Sequence, residues 1–401
     1  MPLTVDQVPT TNRPLQVYLD SSDFSVLSNP EPYSAYANVK QILLTLASRG
    51  EIEIRFSYAH IVEAAPTAQE HLPYALARFR CITALCGQKC LADPAFVMQQ
   101  KAMVAGHNTN GGTQILRDDG DWCPSYEVDL EVPDLATAWR AELSTFPRKM
   151  RRVQTRKFFD SQGRLRATEH TKLRAQAGGI LAAEQHQYPM TPQALAAMER
   201  FILGVGSKAD VNNTLRQSLN DLEIFAEWHA KYWNSISKFS SWLRQSGDNM
   251  KASLELASEA AESSYDMHLL MGKTEREAKA AIANSYMAIS AGFASRIAEA
   301  LNPSRVGGSP TADIDWKTAP ALMCVSAVAG SAYRLTSLDP TQKRKARTSD
   351  FGDLLHCAYI PYVDIFRTDG FMARAISDAG LPLKTHIVAN LLELPKLLWR
   401  R

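Results

Sequence analysis

The sequence predicts an α/β fold, a central parallel sheet flanked by helices, with a large and mostly α-helical insertion. Three observations lead there. Near the start, strand-like and helix-like segments follow one another in the order strand, helix, strand, helix, which is how a parallel sheet begins. The same alternation resumes near the C-terminus, after Ala319. Nearly everything between is helix-like, and 401 residues exceed the usual size of one compact domain. The predicted division is an α/β part over 1–105, the helical insertion over 106–311, and the returning α/β part over 312–401.

Taken in order, Leu15 to Leu19 (LQVYL) is a short β-type run that ends at Asp20. Tyr33 to Ser48 carries Val39, Ile42, Leu43 and Leu46 on one side, the spacing of an amphipathic helix. Gly50 is a natural stop for it, and Glu51 to Phe56 (EIEIRF) then alternates with period two as a second strand. Ser57 can cap a helix opening YAHIVEAA, which places Glu63 about two turns in, and Pro66 ends it. Ala68 to about Ala105 is helical in pattern, including ALARFRCITALCGQKCL, until NTNGG at Asn108 to Gly112. Residues 118–134 are acidic and turn-rich, with room for one short strand.

Leu135 to Leu301 reads as helix, with the Ala-rich run from Ser253 as its clearest part, and the loop Asn302 to Asp313 bounds it. Ala319 to Leu335 is a buried-type helix, followed by the basic turn DPTQKRKARTSD. A helix from Phe351 to Ala358, a strand from Val363 to Arg367, a helix from Phe371 to Ala379, a strand from Thr385 to Ala389 and a helix from Leu391 to Leu398 complete the pattern.

Composition narrows the function classes. Apolar residues make up 45% and charged residues 21%, which is globular and not disordered. The net charge of +2 does not advertise a polyanionic partner, so any such signal must be local. Six cysteines (81, 86, 90, 123, 324 and 357), three of them in one apparent helix, read as reduced thiols of a cytoplasmic protein. The opening lacks a basic start followed by an apolar run, so no signal peptide is expected. The longest apolar stretch, Ala319 to Gly330, is short of the ~20 residues a membrane span needs.

The chemistry is carried by where the acids fall. Asp20 closes the first strand, Glu63 lies just beyond the second, Asp353 opens a helix, and Asp369 directly follows VDIFRT. Ligand sites of open parallel sheets lie outside the carboxyl ends of the strands, so these four carboxylates are expected to converge at one edge. Such a cluster raises its members' pKa values unless a cation compensates. Hard oxygen donors suit Mg²⁺ or Mn²⁺, which polarise a phosphodiester and lower the pKa of a bound water.

LDSSDFSVL, SYAHIVEA and SDFGDLLHCAYIPYVDIFRTDGFM together resemble the successive acidic motifs of the PIN-domain nucleases, in the larger variants with a YLPYVD-like segment. The resemblance covers roughly 15–65 and 345–390. It implies metal-site roles for Asp20, Glu63, Asp353 and Asp369, with Asp350 and Asp23 either supporting those ligands or standing in for one of them. It further implies metal-dependent endo- or exonuclease action on RNA or sometimes DNA, with RNA favoured.

Each motif also has a structural reading. An isolated LD at a strand end is commonly a turn, and an isolated Glu on a helix is commonly solvated. Asp364, inside VDIF, is expected to pair with a protein donor, and His356, three residues after Asp353, to be a packed and hydrogen-bonded histidine. Lys343, Arg344, Lys345 and Arg347 either hold phosphates close to the acids or form a solvated loop. In the insertion Arg148, Lys149, Arg151, Arg152, Arg156, Lys157, Arg164, Arg166, Lys172 and Arg174 form a dense basic tract interleaved by Phe158 and Phe159. That tract is either a nucleic-acid interface with stacking groups or a charged helix face over core aromatics.

Three other signals fail. MGKTERE lacks the first Gly of a phosphate loop, since Met267 stands there; LDSSD spaces its acids three apart, unlike the haloacid-dehalogenase pair; and Cys81, Cys86 and Cys90 lack zinc-ligand spacing. The rival functional readings are an inactive PIN-like module that binds nucleic acid or protein, and a toxin or phage-defence nuclease silent until triggered. A homo-oligomer or a regulatory protein partner is compatible with either.

Overall fold

A computed structural model describes residues 13–31, 33–66, 69–99, 115–122, 135–161, 166–232, parts of 252–282, 316–317, 319–337, 347 and 349–399. The chain falls into two compact units. One is drawn from Met1–Thr67, Pro73–Ser125 and Lys238–Arg401, and the other from Ala68–Leu72 and Tyr126–Ser237.

The first unit is built on a four-stranded parallel sheet in the order β2-β1-β5-β6, formed by β1 (Leu15–Tyr18), β2 (Ile52–Arg55), β5 (Ile365–Arg367) and β6 (His386–Val388). The α/β fold class expected from the sequence is therefore present, and its sheet is assembled from both ends of the chain. β1 is buried at every position, as a strand covered on both faces must be. Its neighbours pair Tyr18 with Arg55 on one side and with Phe366 on the other. Extending that register by two residues sets Asp20 opposite Thr368, one position before Asp369, with strands ~4.8 Å apart.

Short helices follow the strands. α1 (Ser21–Leu27) leaves β1 directly, α2 (Ser34–Ser48) buries Val39, Leu43 and Leu46, and α3 (Tyr58–Ala64) leaves β2. α1 is absent from the sequence reading, because LDSSD reads as a turn, whereas Asp20 in fact caps a helix. α4 (Leu72–Cys86) ends before the expected helix does. Gly87 at φ +58° turns the chain, and β3 (Cys90–Leu91) pairs antiparallel with β4 (Leu116–Arg117), so Cys90 does not share a helix with Cys81 and Cys86. α5 (Pro94–Gln99) lies between β3 and β4 in sequence.

Arg55 secures this edge from a buried position. It donates to the Gln16 side chain, to Glu53 Oε2 at 2.7 Å and to the Arg117 carbonyl at 2.7 Å, and pairs with Asp118 at 2.9 Å. A buried cation is tolerated here because each contact offsets part of its desolvation.

The second unit is helical: α6 (Leu135–Thr145), α7 (Arg148–Phe158), α8 (Ala167–Gln187), α9 (Pro192–Ile202) and α10 (Lys208–Asn220). Its core joins Ala194, Ala197, Met198 and Ile202 to Val211 and Leu215. The Asn302–Asp313 loop and the 123–134 interlude lie outside the described residues.

Back in the first unit, α11 (Pro320–Ser337), α12 (Asp350–Cys357) and α13 (Gly370–Asp378) pack together over Tyr18, Leu354, Tyr359, Phe366, Met372 and Ile376. A 3-10 turn and α14 (Leu394–Leu398) close the chain. Among the described residues no helix is long and apolar enough to cross a membrane.

Candidate active site

Four elements deliver the four acids. Asp20 is the N-cap of α1, and its backbone N–H donates to Asp23 Oδ2 at 3.0 Å, the reciprocal half of a capping box. Asp369 is the N-cap of α13 and accepts the Met372 N–H at 2.7 Å. Capping fixes both carboxylates at the C-terminal edge of the sheet, because each must reach back to its own helix. Glu63 comes from α3, and Asp353 from α12, which packs on α3.

The approach of α12 to α3 is close at Gly352. A Cβ there would lie 1.9 Å from Glu63 Oε1, so the absent side chain is the space the carboxylate occupies. One turn on, His356 presents Nε2 to Glu63 Oε2 at 3.3 Å and to Ser21 Oγ at 3.1 Å, while its Nδ1 meets the Tyr18 hydroxyl at 2.5 Å. Tyr18 continues to Ser57 Oγ at 2.7 Å. The Ser57 N–H donates to His60 Nδ1 at 2.9 Å, so His60 carries its proton on Nε2, which donates to the Leu19 carbonyl at 2.8 Å. A buried polar cluster thus underlies the acids, and His356 is the packed, hydrogen-bonded histidine that was expected.

The electrostatics show which groups sense one another. Burial raises the Asp353 carboxyl to about 7, and the charges of Asp20, Glu63 and Asp369 push the same way, with His356 opposing. Burial also favours the neutral form of Glu63. The charge and hydrogen bond of His356, with help from Ser21 and Arg78, outweigh it and hold this carboxyl below its ordinary value. Burial opposes charge on His356, but Glu63, Asp20 and Asp353 raise the imidazole above its usual value. His60 is driven the other way by burial and by His356, and stays neutral.

Arg367, at the end of β5, supplies the other positive charge. Its Nη1 lies 3.1 Å from Asp20 Oδ2, 3.0 Å from Asp23 Oδ1 and 3.2 Å from Ser22 Oγ. Burial nonetheless lifts Asp23 to about 7 against the pull of Arg367.

Among the described residues no three His, Cys, Asp or Glu side chains are gathered into a ready-made metal cage. Carboxylate oxygens are the kind of donor a hard divalent cation takes, and Asp353, raised chiefly by burial and further by the charges of Asp20, Glu63 and Asp369, is the acid whose proton such a cation would displace.

Asp350 stands apart from this group. It is buried, accepts the Arg347 N–H at 3.0 Å, and lines a small cleft with Ala329, Ala332, Thr336 and Met372 between α11, α12 and α13. Asp364 faces elsewhere too, accepting the Gln16 N–H at 2.8 Å and pairing with Arg13 at 2.8 Å. Arg347 is exposed, and Lys343, Arg344 and Lys345 lie outside the described residues.

On α7 every cation of the tract, Arg151, Arg152, Arg156 and Lys157 among them, is exposed, and the helix buries no residue. The aromatics are not free stacking groups. Phe159 is buried, and Phe158 packs edge-to-face on Trp139 at 4.7 Å.

Sequence reasoning did not single out Arg367, Gly352, Tyr18 or His60. Arg367 alone left a trace, since alternation along VDIFR sets it on the side opposite Asp364. No known family model, curated protein or solved structure matches the chain.

Proposed function

We propose that the chain is a PIN-like, metal-dependent nuclease that hydrolyses phosphodiester bonds, with RNA favoured and with Asp20, Glu63, Asp353 and Asp369 holding Mg²⁺ or Mn²⁺. The observation that supports it is that Asp353, raised first by burial, is raised further by three carboxylates from other elements, Asp20, Glu63 and Asp369, two of them from the far end of the sequence. A bound divalent ion supplies Lewis acidity to the phosphodiester and to the attacking water. The chain's own residues position the ligands. Helix capping sets Asp20 and Asp369, and His356, braced from beneath by Tyr18, orients Glu63.

The test is a cleavage panel of single- and double-stranded RNA and DNA with Mg²⁺, Mn²⁺ or chelator. Mn²⁺-dependent RNA cleavage is expected, lost with chelator and reduced at least ~10³-fold in Asp20→Asn. Asn caps helices as well as Asp does, so this variant removes the charge and keeps the fold. Full turnover in Asp20→Asn would remove it from the ligand set.

The unclosed ligand set favours a second reading, a PIN-like module that binds without chemistry. It requires binding that chelator leaves intact and no turnover on any substrate.

The second unit supplies the polyanion-binding face. Arg148, Arg152 and Arg156 recur every four residues along one side of α7, where like charges repel unless an anion lies across them. Among the described residues none of the three forms an ion pair. Replacing all three with Gln is expected to weaken single-stranded RNA binding and to make log K against log salt shallower by about 2. An unchanged slope would assign these cations to solvent alone.

A further inference from the structure

We infer that α7 is a docking face for single-stranded polynucleotide, on which Met150 and Val153 meet the unpaired bases while Arg148, Arg152 and Arg156 hold the phosphates. This inference rests on the basic-face reading above and goes beyond it, because cations alone do not tell a single strand from a duplex.

The order of side chains around the helix carries it. At about 3.6 residues per turn, successive residues are set about 100° apart. Arg148, Arg152 and Arg156 then form one row, with about 6 Å between neighbours along the axis, and Lys149 follows beside it. Met150 and Val153 form the next row. The opposite side is the one held by α6: Phe158 packs on Trp139 at 4.7 Å, and Arg151 Nη1 donates to the Ser144 carbonyl at 3.4 Å. Both outward rows face solvent. The three arginines are exposed, and Met150 is 52% and Val153 62% exposed, so two apolar side chains stand in water abreast of a line of cations. An isolated exposed apolar residue is ordinary. A pair of them alongside a cation row matches the cross-section of a single strand, which is anionic along its backbone and apolar on the faces of its bases. A duplex turns those faces inward and offers the apolar row nothing. Met150 suits base faces in kind, because its thioether is polarizable and packs favourably against aromatic rings. A lipid surface fits less well, since two apolar side chains are little to insert and the arginine row flanks them on one side only.

The experiment is equilibrium binding of the full chain, with chelator present throughout, to four probes: an unstructured single-stranded RNA, the same RNA as a duplex, an abasic sugar-phosphate strand, and vesicles containing phosphatidylserine. Met150→Gln/Val153→Gln is expected to bind the single strand at least about five-fold more weakly and the duplex as the parent does. Its salt slope should equal the parent's, since apolar contacts release no counterions. Both side chains are exposed and Gln sustains a helix about as well as Met does, so this variant keeps the fold. The parent should bind the abasic strand no better than the variant binds RNA, and abasic binding as tight as RNA binding overturns the inference. The variant with all three arginines changed to Gln, measured alongside, should weaken single strand and duplex alike and flatten the slope. If it does so while Met150→Gln/Val153→Gln binds the single strand like the parent, the apolar row is idle: the inference is overturned and the basic face stands. Equal losses on single strand and duplex in Met150→Gln/Val153→Gln overturn it too. If the arginine variant leaves affinity and slope untouched, the basic-face reading falls and takes this inference with it. Vesicle binding that Met150→Gln/Val153→Gln loses, with RNA binding unchanged, assigns the row to lipid and overturns it as well.

Discussion

An Asp353→Asn variant is expected to lose at least ~10³-fold in Mn²⁺-dependent kcat/KM and, without added metal at about pH 8, to melt at a higher temperature than the parent. The two effects share one cause. Burial and three neighbouring carboxylates raise Asp353 to about 7, so the folded protein holds this proton in a range where the unfolded chain has released it. An acid with a raised folded pKa binds more protons folded than unfolded between the two values. Stability therefore falls as pH rises from about 4 to about 7 and levels off above. Asn carries no charge at any pH and avoids that loss. Solvent access to the half-buried carboxyl screens the gain to about 1–2 kcal/mol, or roughly 2–8 °C. The difference in melting temperature should vanish near pH 4, and Mn²⁺ should reverse it at neutral pH by stabilising the parent more. A variant that melts no higher than the parent at about pH 8 would show that Asp353 sits in balanced charge, and the case for a cation there would be lost.

The sheet and its acids were legible in the sequence for a local reason. β1 and β5 are short strands with an acid just past each, Asp20 and Asp369, and parallel strands place their carboxyl ends at one edge wherever they come from in the chain. Once β1 and β5 are neighbours, Asp20 and Asp369 must be as well. What stayed hidden depends on partners far along the chain. Arg367 is one residue among many arginines until β5 docks beside β1 and brings it to Asp20, 347 positions away. Tyr18 reads as an ordinary strand aromatic, and only the docking of α12 gives its hydroxyl a histidine to meet. The early end of α4 was obscured because CGQKCL continues an apolar pattern that fits helix and strand alike, and Gly87 decides it. Asp350 was drawn into the acidic group by its spacing from Asp353, yet its carboxyl turns to the Arg347 backbone and the cleft against α11.

Gly352→Ala is the change that most cleanly separates site from fold. In a helix, replacing Gly with Ala adds up to ~1 kcal/mol of stability, so α12 should form at least as well. The new methyl group, however, would lie 1.9 Å from Glu63 Oε1 and 3.1 Å from its Cδ. The yielding partner is the end of a flexible, half-buried side chain and not backbone, so the clash is relieved by swinging the Glu63 carboxylate away. That movement breaks the 3.3 Å contact with His356 and takes one ligand from the set. The expected protein is as stable as the parent or slightly more so, binds Mn²⁺ about ten-fold more weakly, and loses about 10²-fold in kcat/KM. His356 should report the displacement directly. Glu63 is the chief group raising its pKa against burial, so its imidazole resonances should titrate at lower pH in the variant. Shortening the acid in the same background, Gly352→Ala with Glu63→Asp, leaves room for the methyl and should recover part of the lost metal affinity. If Gly352→Ala instead unfolds the protein, the backbone of α12 is what cannot give, and Glu63 is not the group this glycine accommodates. If it binds metal and cleaves like the parent, Glu63 is not a ligand.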